Sequence, residues 1–428
     1  MAKPPLDKPV TFGPFVKGVN NVDRSLTMAK GELVSAFNLD IDRAGIMSQR
    51  SGYTLAISGG AHSLWARDHD SALYVAGADL RLLRVNEAGA LSYPALRAGA
   101  FSAGLPVTYV LVNGVVYYSN GVITGLIRAD NSSHPWGVEI PARVPTLAVG
   151  IGGLHAGRYQ VAIQYIDDQG EFGGLTLPAA IVVPANSAIV VSAIPTPVSA
   201  DVRFVTLFVS EQNGEELYRY GDYAVGTTSV TVSASAQGRR ATNMVSDVMP
   251  PASLLEHYNG RIYGASGNLI RYTNALQYGQ CAQRMNFIPW NGEVVLLKAV
   301  DDGLYVGTDS NVQFLAGAGP ESFTVREAMP CGAVRGTGIT LELGRKVQGG
   351  PTVGWMSERG FVKARAGGNV EIAEKERVSV GMYAAGAALY RELGDIRQIV
   401  ATMRGGIRSA VVSTDYAEAE VRRNGNLI

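Results

Sequence analysis

The chain has 428 residues, 37 basic and 37 acidic side chains, and a formal net charge of zero at pH 7. Gripping nucleic acid along its phosphates takes an excess of cations, so this balance argues against a dedicated DNA binder. Two cysteines, Cys281 and Cys331, and five histidines without metal-ligand spacing exclude a disulfide framework and a zinc module.

The first residues, Met1-Ala-Lys-Pro-Pro5, lack the apolar run of a signal peptide, and no run of about 18 apolar residues offers a membrane span. The expectation is a chain made and kept in a reducing compartment, with the cysteines as buried thiols and no membrane insertion. Residues 1–37 are too polar to fold alone and read as an extended N-terminal arm that orders on a neighbour.

A hairpin follows. Asn38-Leu-Asp40-Ile-Asp42 alternates, Arg43-Ala-Gly45 turns, and Ile46-Met-Ser-Gln-Arg50-Ser-Gly52 returns. Leu39 and Ile41 share one face, Asp40 and Asp42 the other, and Arg50 comes within cross-strand reach of the carboxylates. A calcium loop is the competing interpretation, but it needs oxygen ligands at its fifth position and a glutamate at its twelfth. Ala44 and Ser51 stand there, so the segment is structural.

Next come units of one grammar: strand, tight polar turn, strand, second turn, strand. Residues 71–92 turn at Ala78-Asp79 and Glu87-Ala-Gly89, and 108–131 at Asn113-Gly114 and Asn120-Gly121. Residues 254–274 turn at Asn259-Gly260 and Gly267-Asn268, and 296–317 at Asp302-Gly303 and Asp309-Ser-Asn311. A weaker copy, 353–374, turns at Arg359-Gly360 and Gly367-Gly368. The central aromatics Tyr74, Tyr117, Tyr263, Tyr305 and Phe361 act as rulers. Within the pairs Tyr74/Tyr117 and Tyr263/Tyr305 they lie about 42–43 residues apart, the period of propeller blades. The fold class is therefore all-β, a propeller of about five to six blades.

Between Tyr117 and Tyr263 lie about a hundred residues more than one blade needs. Tyr159, Val161, Ile163 and Tyr165 alternate there with Arg158, Gln160, Ala162 and Gln164, the pattern of a half-buried strand. Residues 201–233 add two or three strands, with Asn213-Gly214 between them. Pro141 to Pro145 and Met249-Pro250-Pro251 bracket an inserted β-sandwich of fibronectin-III or immunoglobulin type. The expected division is 1–37 arm, 38–145 hairpin and first blades, 146–245 sandwich, and 246–428 remaining blades with the C-terminal segment. Met382, Ala385, Leu389 and Leu393 recur at helical spacing, which predicts a helix within 379–400.

Little of this carries chemistry. Arg67-Asp68-His69-Asp70, Asp167-Asp168 and Asp301-Asp302 sit where turns belong, and Asx turns account for them. Gly150-Ile-Gly152-Gly153-Leu-His155 lacks the third glycine of a dinucleotide fingerprint and the helix that should follow. Asn131-Ser-Ser133 matches a glycosylation sequon, a chance match in a chain without a secretory signal. No catalytic residue, cofactor or metal is expected.

With catalysis set aside, the opening stretch is the most informative. Gly18-Val-Asn-Asn21, Leu26, Gly31-Glu32, Ala36-x-Asn38-x-Asp40-x-Asp42, Gly45 and Gln49-Arg50-x-Gly52-Tyr53 resemble the N-terminal signature of short-tailed bacteriophage tail nozzle or tail hub proteins, also called tail tubular protein B. The close match covers about forty residues, and the blade-and-insertion organisation fits nearly the whole chain. The resemblance implies a structural virion protein assembled in the host cytoplasm, a six-fold ring below the portal and adaptor, around a channel that DNA leaves through. It implies self-contacts, portal, adaptor and distal tail or fibre partners, and transient non-specific contact with DNA. From a different class, a carbohydrate-binding or sugar-cleaving propeller would use Trp136 or Trp290 as ring platforms. A scaffold propeller of a protein-interaction hub would be monomeric.

Overall fold

The computed structural model describes residues 13–23, 27–42, 44–50, 52, 55–68, 70–101, 105–341, 351–373, 383–393 and 396–405. It divides into two compact units, one of residues 57–294 and the other of residues 1–56 with 295–428. The described residues are all-β, with a single 3-10 turn at Ala366–Gly368.

Five antiparallel sheets follow one another as meanders in chain order. The unit 57–294 holds three. The first comprises Ala61–Ala66, Ser71–Ala76, Asp79–Val85 and Leu91–Ser92, with Ala95–Arg97 also paired to its third strand. The second comprises Thr108–Val112, Val115–Ser119, Thr124–Ile127 and Ser133–His134, and the third Leu254–Tyr258, Arg261–Ser266, Leu269–Tyr272 and Phe287–Pro289. The other unit holds the fourth, Leu296–Val300, Gly303–Gly307, Val312–Ala316 and Thr324–Met329, and the fifth, Ile339–Leu341, Thr352–Ser357, Gly360–Arg365 and Asn369–Ile372.

The turns explain the meander. Asn113 and Gly114 have φ of 51° and 81°, and Asn259 and Gly260 have 42° and 74°. Both dipeptides thus adopt the left-handed conformation that lets a two-residue loop follow the twist of its strands. In the first, fourth and fifth sheets the turn falls one residue earlier than the sequence suggests, at Gly77-Ala78, Asp301-Asp302 and Glu358-Arg359. Gly303 is needed for packing instead: a Cβ there would stand 2.1 Å from Leu315 O.

Sheet faces stack through their second strands. Leu73, Val75, Val116, Tyr118 and Ile127 share a core between the first and second sheets, while Val110, Tyr117, Leu255 and Ile262 share one between the second and third. Tyr305, Phe314, Val353, Trp355 and Val362 form the corresponding core of the fourth and fifth. Strands Gly303–Gly307 and Thr352–Ser357 are buried at every residue, as a strand covered on both faces must be. This settles the ruler of the fifth sheet. Trp355 occupies the second-strand position of Tyr305, about 50 residues on, whereas Phe361 lies on the third strand and is only half-buried.

The insertion forms two sheets around one core. Thr146–Leu154, Ser187–Ser192 and Ser229–Val232 make one; Ala179–Val183, Gly157–Asp167, Val202–Ser210 and Leu217–Ala224 make the other. Tyr159, Val161, Ile163 and Tyr165 point into that core with Ile189, Val191, Val205 and Leu207. Burial pushes the Tyr165 phenol up to about 12, and its hydroxyl donates to Pro195 O at 2.7 Å. Strand Gly157–Asp167 is not half-buried as expected. Its other face, with Ala162 and Gln164, is covered by a second small core of Leu175, Phe208, Leu217 and Ala241, and Asn243 Nδ2 donates to Gln164 Oε1 at 3.2 Å.

The helix expected within 379–400 is replaced by a hairpin, Ala385–Leu393 paired with Ile396–Arg404 from Ala385↔Arg404 to Leu393↔Ile396. Gly386 costs a helix about 1 kcal/mol. In the hairpin it serves a close approach, since a Cβ would meet Thr402 O at 2.6 Å. The hairpin Leu39–Ile41/Met47–Gln49 lies in the unit that also holds residues 295–428, where Asp40 meets Gln398.

Candidate assembly site in the N-terminal segment

Where described, residues 13–37 are not an extended arm. They fold into closed turns around Asn20, which is 1% exposed. Its Nδ2 donates to Asp23 Oδ2 at 2.9 Å and Glu32 Oε2 at 3.0 Å, and its Oδ1 accepts from the Val22 and Asp23 amides at 3.1 and 3.0 Å. Glu32 Oε2 also accepts from the Ala29 amide at 3.0 Å. Asn20 and Leu33 then tie the two limbs together: Asn20 N–H donates to Leu33 O and Leu33 N–H to Gly18 O, each at 2.8 Å. This polar segment holds its shape through the saturated amide, whose hydrogen bonds offset the cost of taking it out of water.

Hairpin Leu39–Ile41/Met47–Gln49 lies against these turns. Phe15 N–H donates to Gly45 O at 2.9 Å. A Cβ on Gly45 would sit 2.6 Å from both Phe15 N and Val16 N, and Gly45 has φ of 78°, so two independent constraints require glycine. Asp42 closes the turn, its Oδ1 accepting from Ile46 N–H at 2.8 Å and its carbonyl from Gly45 N–H at 3.0 Å. Asn38 takes φ of 55°, a left-handed conformation asparagine tolerates. Gly52 is exposed with open space around its Cα.

Arg50 stands opposite Asn38, one step beyond the last strand pair and diagonal to Asp40. Asp40 pairs with Ser48, and Arg50 N–H donates to Asn38 O at 3.0 Å, two register positions away. The register centres the turn on Ala44 and places Gln49 opposite Leu39. Asp40 instead meets the C-terminal hairpin: Gln398 Nε2 donates to its Oδ1 at 3.0 Å, and Arg391 Nη2 stands 3.9 Å away. Arg391 Nε in turn donates to Gln398 Oε1 at 2.9 Å. Half-exposed pairs of this kind contribute at most about 1 kcal/mol. Asp40→Asn is accordingly expected to lower stability by less than about 1 kcal/mol in urea denaturation, while leaving the leader folded.

The leader presents apolar side chains to solvent. Phe37 is 79% exposed, Ile46 64%, Val16 59% and Val34 56%, with Val22 and Met47 also exposed. These six large apolar side chains between Val16 and Met47 are thus open to solvent.

The other candidates resolve into structure. Asp167 Oδ1 accepts from the Gln169 and Glu171 amides at 2.9 and 2.8 Å, an Asx turn, and Asp68 Oδ1 likewise accepts from Asp70 N–H at 3.0 Å; His69 lies outside the described residues. Asp302 does not close its own turn but accepts Gly367 N–H with both oxygens, at 3.0 and 2.8 Å, across to the fifth sheet. Gly150, Gly152 and Gly153 lie within strand Thr146–Leu154, and Asn131 is engaged by Arg67 Nη1 at 2.6 Å. Cys281 and Cys331 are free and buried, and burial pushes the Cys281 thiol up to about 12. Trp136 packs on Tyr117 with centroids 5.1 Å apart and donates to Tyr278 O at 2.7 Å. It is 2% exposed and Trp290 9%, so neither offers a ring face to a sugar. Among the described residues no group of three or more metal-ligating side chains converges, and no helix is long and apolar enough to cross a membrane.

No family model matches the chain, and no curated protein matches it. Solved structures resemble it distantly. BBS1N, solved in complex with ARL6DN, is 10% identical over 81% of this chain and 93% of its own, with a TM-score of 0.30. Apo AztD from Citrobacter koseri is 7% identical over 77% and 75%, with a TM-score of 0.31. PorZ, a surface component of the type-IX secretion system of Porphyromonas gingivalis, is 10% identical over 76% of this chain and 40% of its own, with a TM-score of 0.21. Likeness at this level carries no statement about activity or partners.

Proposed function

We propose that this chain is a structural component of a short-tailed bacteriophage tail, a nozzle or hub protein that assembles into a ring, six-fold in the resembled family, around the DNA exit channel below the portal and adaptor. In this proposal the five sheets are blades of a propeller, with the hairpin Ala385–Leu393/Ile396–Arg404 contributing to a sixth, and the inserted pair of sheets is a sandwich of fibronectin-III or immunoglobulin type.

The observation that carries it is the leader. Gly18, Asn20, Glu32, Asn38, Asp42 and Gly45, six of the residues on which the resemblance rests, are the ones whose backbone angles and hydrogen bonds build a compact motif with exposed apolar side chains. A ring joins protomers through two different patches, and the leader face is suited to be one of them. Zero net charge suits a conduit, since a strongly basic lumen would retard sliding DNA. The chain turns over no substrate in this role.

Tails assembled without this chain test the proposal. They are expected to lose the genome and to lack the distal fibres; tails that kept both would contradict it. Phe37→Ser with Ile46→Ser supplies a finer version. Both side chains are exposed, so thermal stability should shift by less than about 1 kcal/mol while assembly into tails fails.

A further inference from the structure

We propose that the inserted pair of sheets is locked to the third sheet and moves with it as one body. The lock is the loop of residues 168–178, which joins strands Gly157–Asp167 and Ala179–Val183. A domain entered and left through proline-flanked connectors, here Pro141 to Pro145 and Met249-Pro250-Pro251, is by default free to swing on them. The loop removes that freedom.

Three layers of backbone meet there without side chains between them. A Cβ on Gly174 would stand 1.9 Å from Ser246 O, where the chain leaves the insertion, and one on Gly173 2.7 Å from Val138 O, where it enters. Neither glycine has a positive φ, so the close approach is what demands glycine at both. The third sheet closes the stack. A Cβ on Gly137 would lie 2.2 Å from Gly279 O, in the long connection between Leu269–Tyr272 and Phe287–Pro289. In the same connection Cys281 exchanges backbone hydrogen bonds with Asp247, at 2.9 and 2.7 Å.

Buried amides tie the layers together. Gln280 Nε2 donates to Phe172 O, and Asn243 Nδ2 donates to Gly173 O. Asn274 Nδ2 donates to Ser246 Oγ at 3.0 Å, and its Oδ1 accepts from Asn286 Nδ2 at 2.8 Å. Gln280, Asn243 and Ser246 are all buried. Arg128, next to strand Thr124–Ile127 of the second sheet, holds Asp168 of the loop through both terminal nitrogens, at 3.1 and 2.8 Å. A partial opening would leave buried amides without partners before water reached them, so the contact opens as a whole or stays shut.

Double electron–electron resonance on the whole chain tests this, with spin labels at Val182→Cys in the insertion and Met285→Cys beside the third sheet. Both positions are exposed and the native cysteines are buried, so labelling is selective. Labelled chain diluted into unlabelled chain should give one narrow distance distribution. A broad or multiple distribution would overturn the proposal. Inserting Gly-Ser-Gly after the exposed Arg143 lengthens one connector and should leave the width unchanged. A wider distribution there would mean that the connectors set the position, and the lock would be refuted. Gln280→Ala should speed hydrogen exchange at the Asp247 and Cys281 amides about ten-fold, while strand Arg261–Ser266 keeps its protection. Unchanged exchange at both amides would overturn the assignment of the lock to this loop. These readouts are indifferent to ring assembly, so this proposal and the tail function fail separately.

Discussion

Trp355→Ala is expected to destabilise the unit containing the fourth and fifth sheets by about 3–5 kcal/mol, the largest single effect among the substitutions considered. Trp355 is fully buried, in contact range of Tyr305 with centroids 5.6 Å apart, within a core that also holds Phe314, Val353 and Val362. Truncation removes the transfer free energy of an indole and leaves a void that close-packed sheets fill poorly. Trp355→Phe should cost far less. The indole Nε1–H is buried without a hydrogen-bond partner among the described residues, so phenylalanine removes an unsatisfied donor while keeping most of the apolar volume. Urea denaturation followed by fluorescence separates the two variants. Equal losses for Phe and Ala would mean that the core does not depend on ring volume at this position.

The second large effect is expected at Gly45. Gly45→Ala places a methyl group 2.6 Å from two backbone nitrogens and forces a left-handed angle on an L-residue. Strain and clash together should cost about 2–4 kcal/mol, enough to open a leader whose other ties are hydrogen bonds of about 1 kcal/mol each. Hydrogen exchange at Phe15, Asn20 and Leu33, whose amides are tied within the leader and to the hairpin, should accelerate by at least about 30-fold relative to the wild-type chain. Exchange in the fourth sheet should not change. Protection that survived the substitution would show that the Phe15–Gly45 contact does not hold the leader in place.

How far the sequence foretold this structure depends on the kind of signal. Asn113-Gly114 and Asn259-Gly260 fixed two hairpins because a left-handed pair tolerates few other residues. The Gly-rich connection of 331–351 hid the fifth sheet's phase. With the strand Ile339–Leu341 unmarked by any turn dipeptide, the sheet reads as beginning one strand late, and Phe361 takes the place of Trp355. Residues 385–404 were misleading for another reason. Leu389 and Leu393 fit helical and strand periods alike, so their spacing alone did not separate a helix from the paired strands Ala385–Leu393 and Ile396–Arg404.

In the leader, composition was a poor guide. Counting polar residues makes 1–37 an unfolded arm, yet Asn20, Glu32 and Asp23 are polar because they are the internal framework of the motif. The spacing Gly18-x-Asn20 and Gly31-Glu32 was visible, but its meaning needed the two limbs brought together by the Val19–Leu33 bridge. The partner of Asp40 was beyond any local pattern, because Gln398 and Arg391 lie at the other end of the chain.

The measurement that bears most directly on the proposed role is electron microscopy of the purified full chain, supported by native mass determination. If the exposed face around Phe37 and Ile46 joins copies of this chain, closed rings of six should appear and should be lost in the doubly serine-substituted protein. Single copies at every concentration, with the leader amides still protected from exchange, would contradict it.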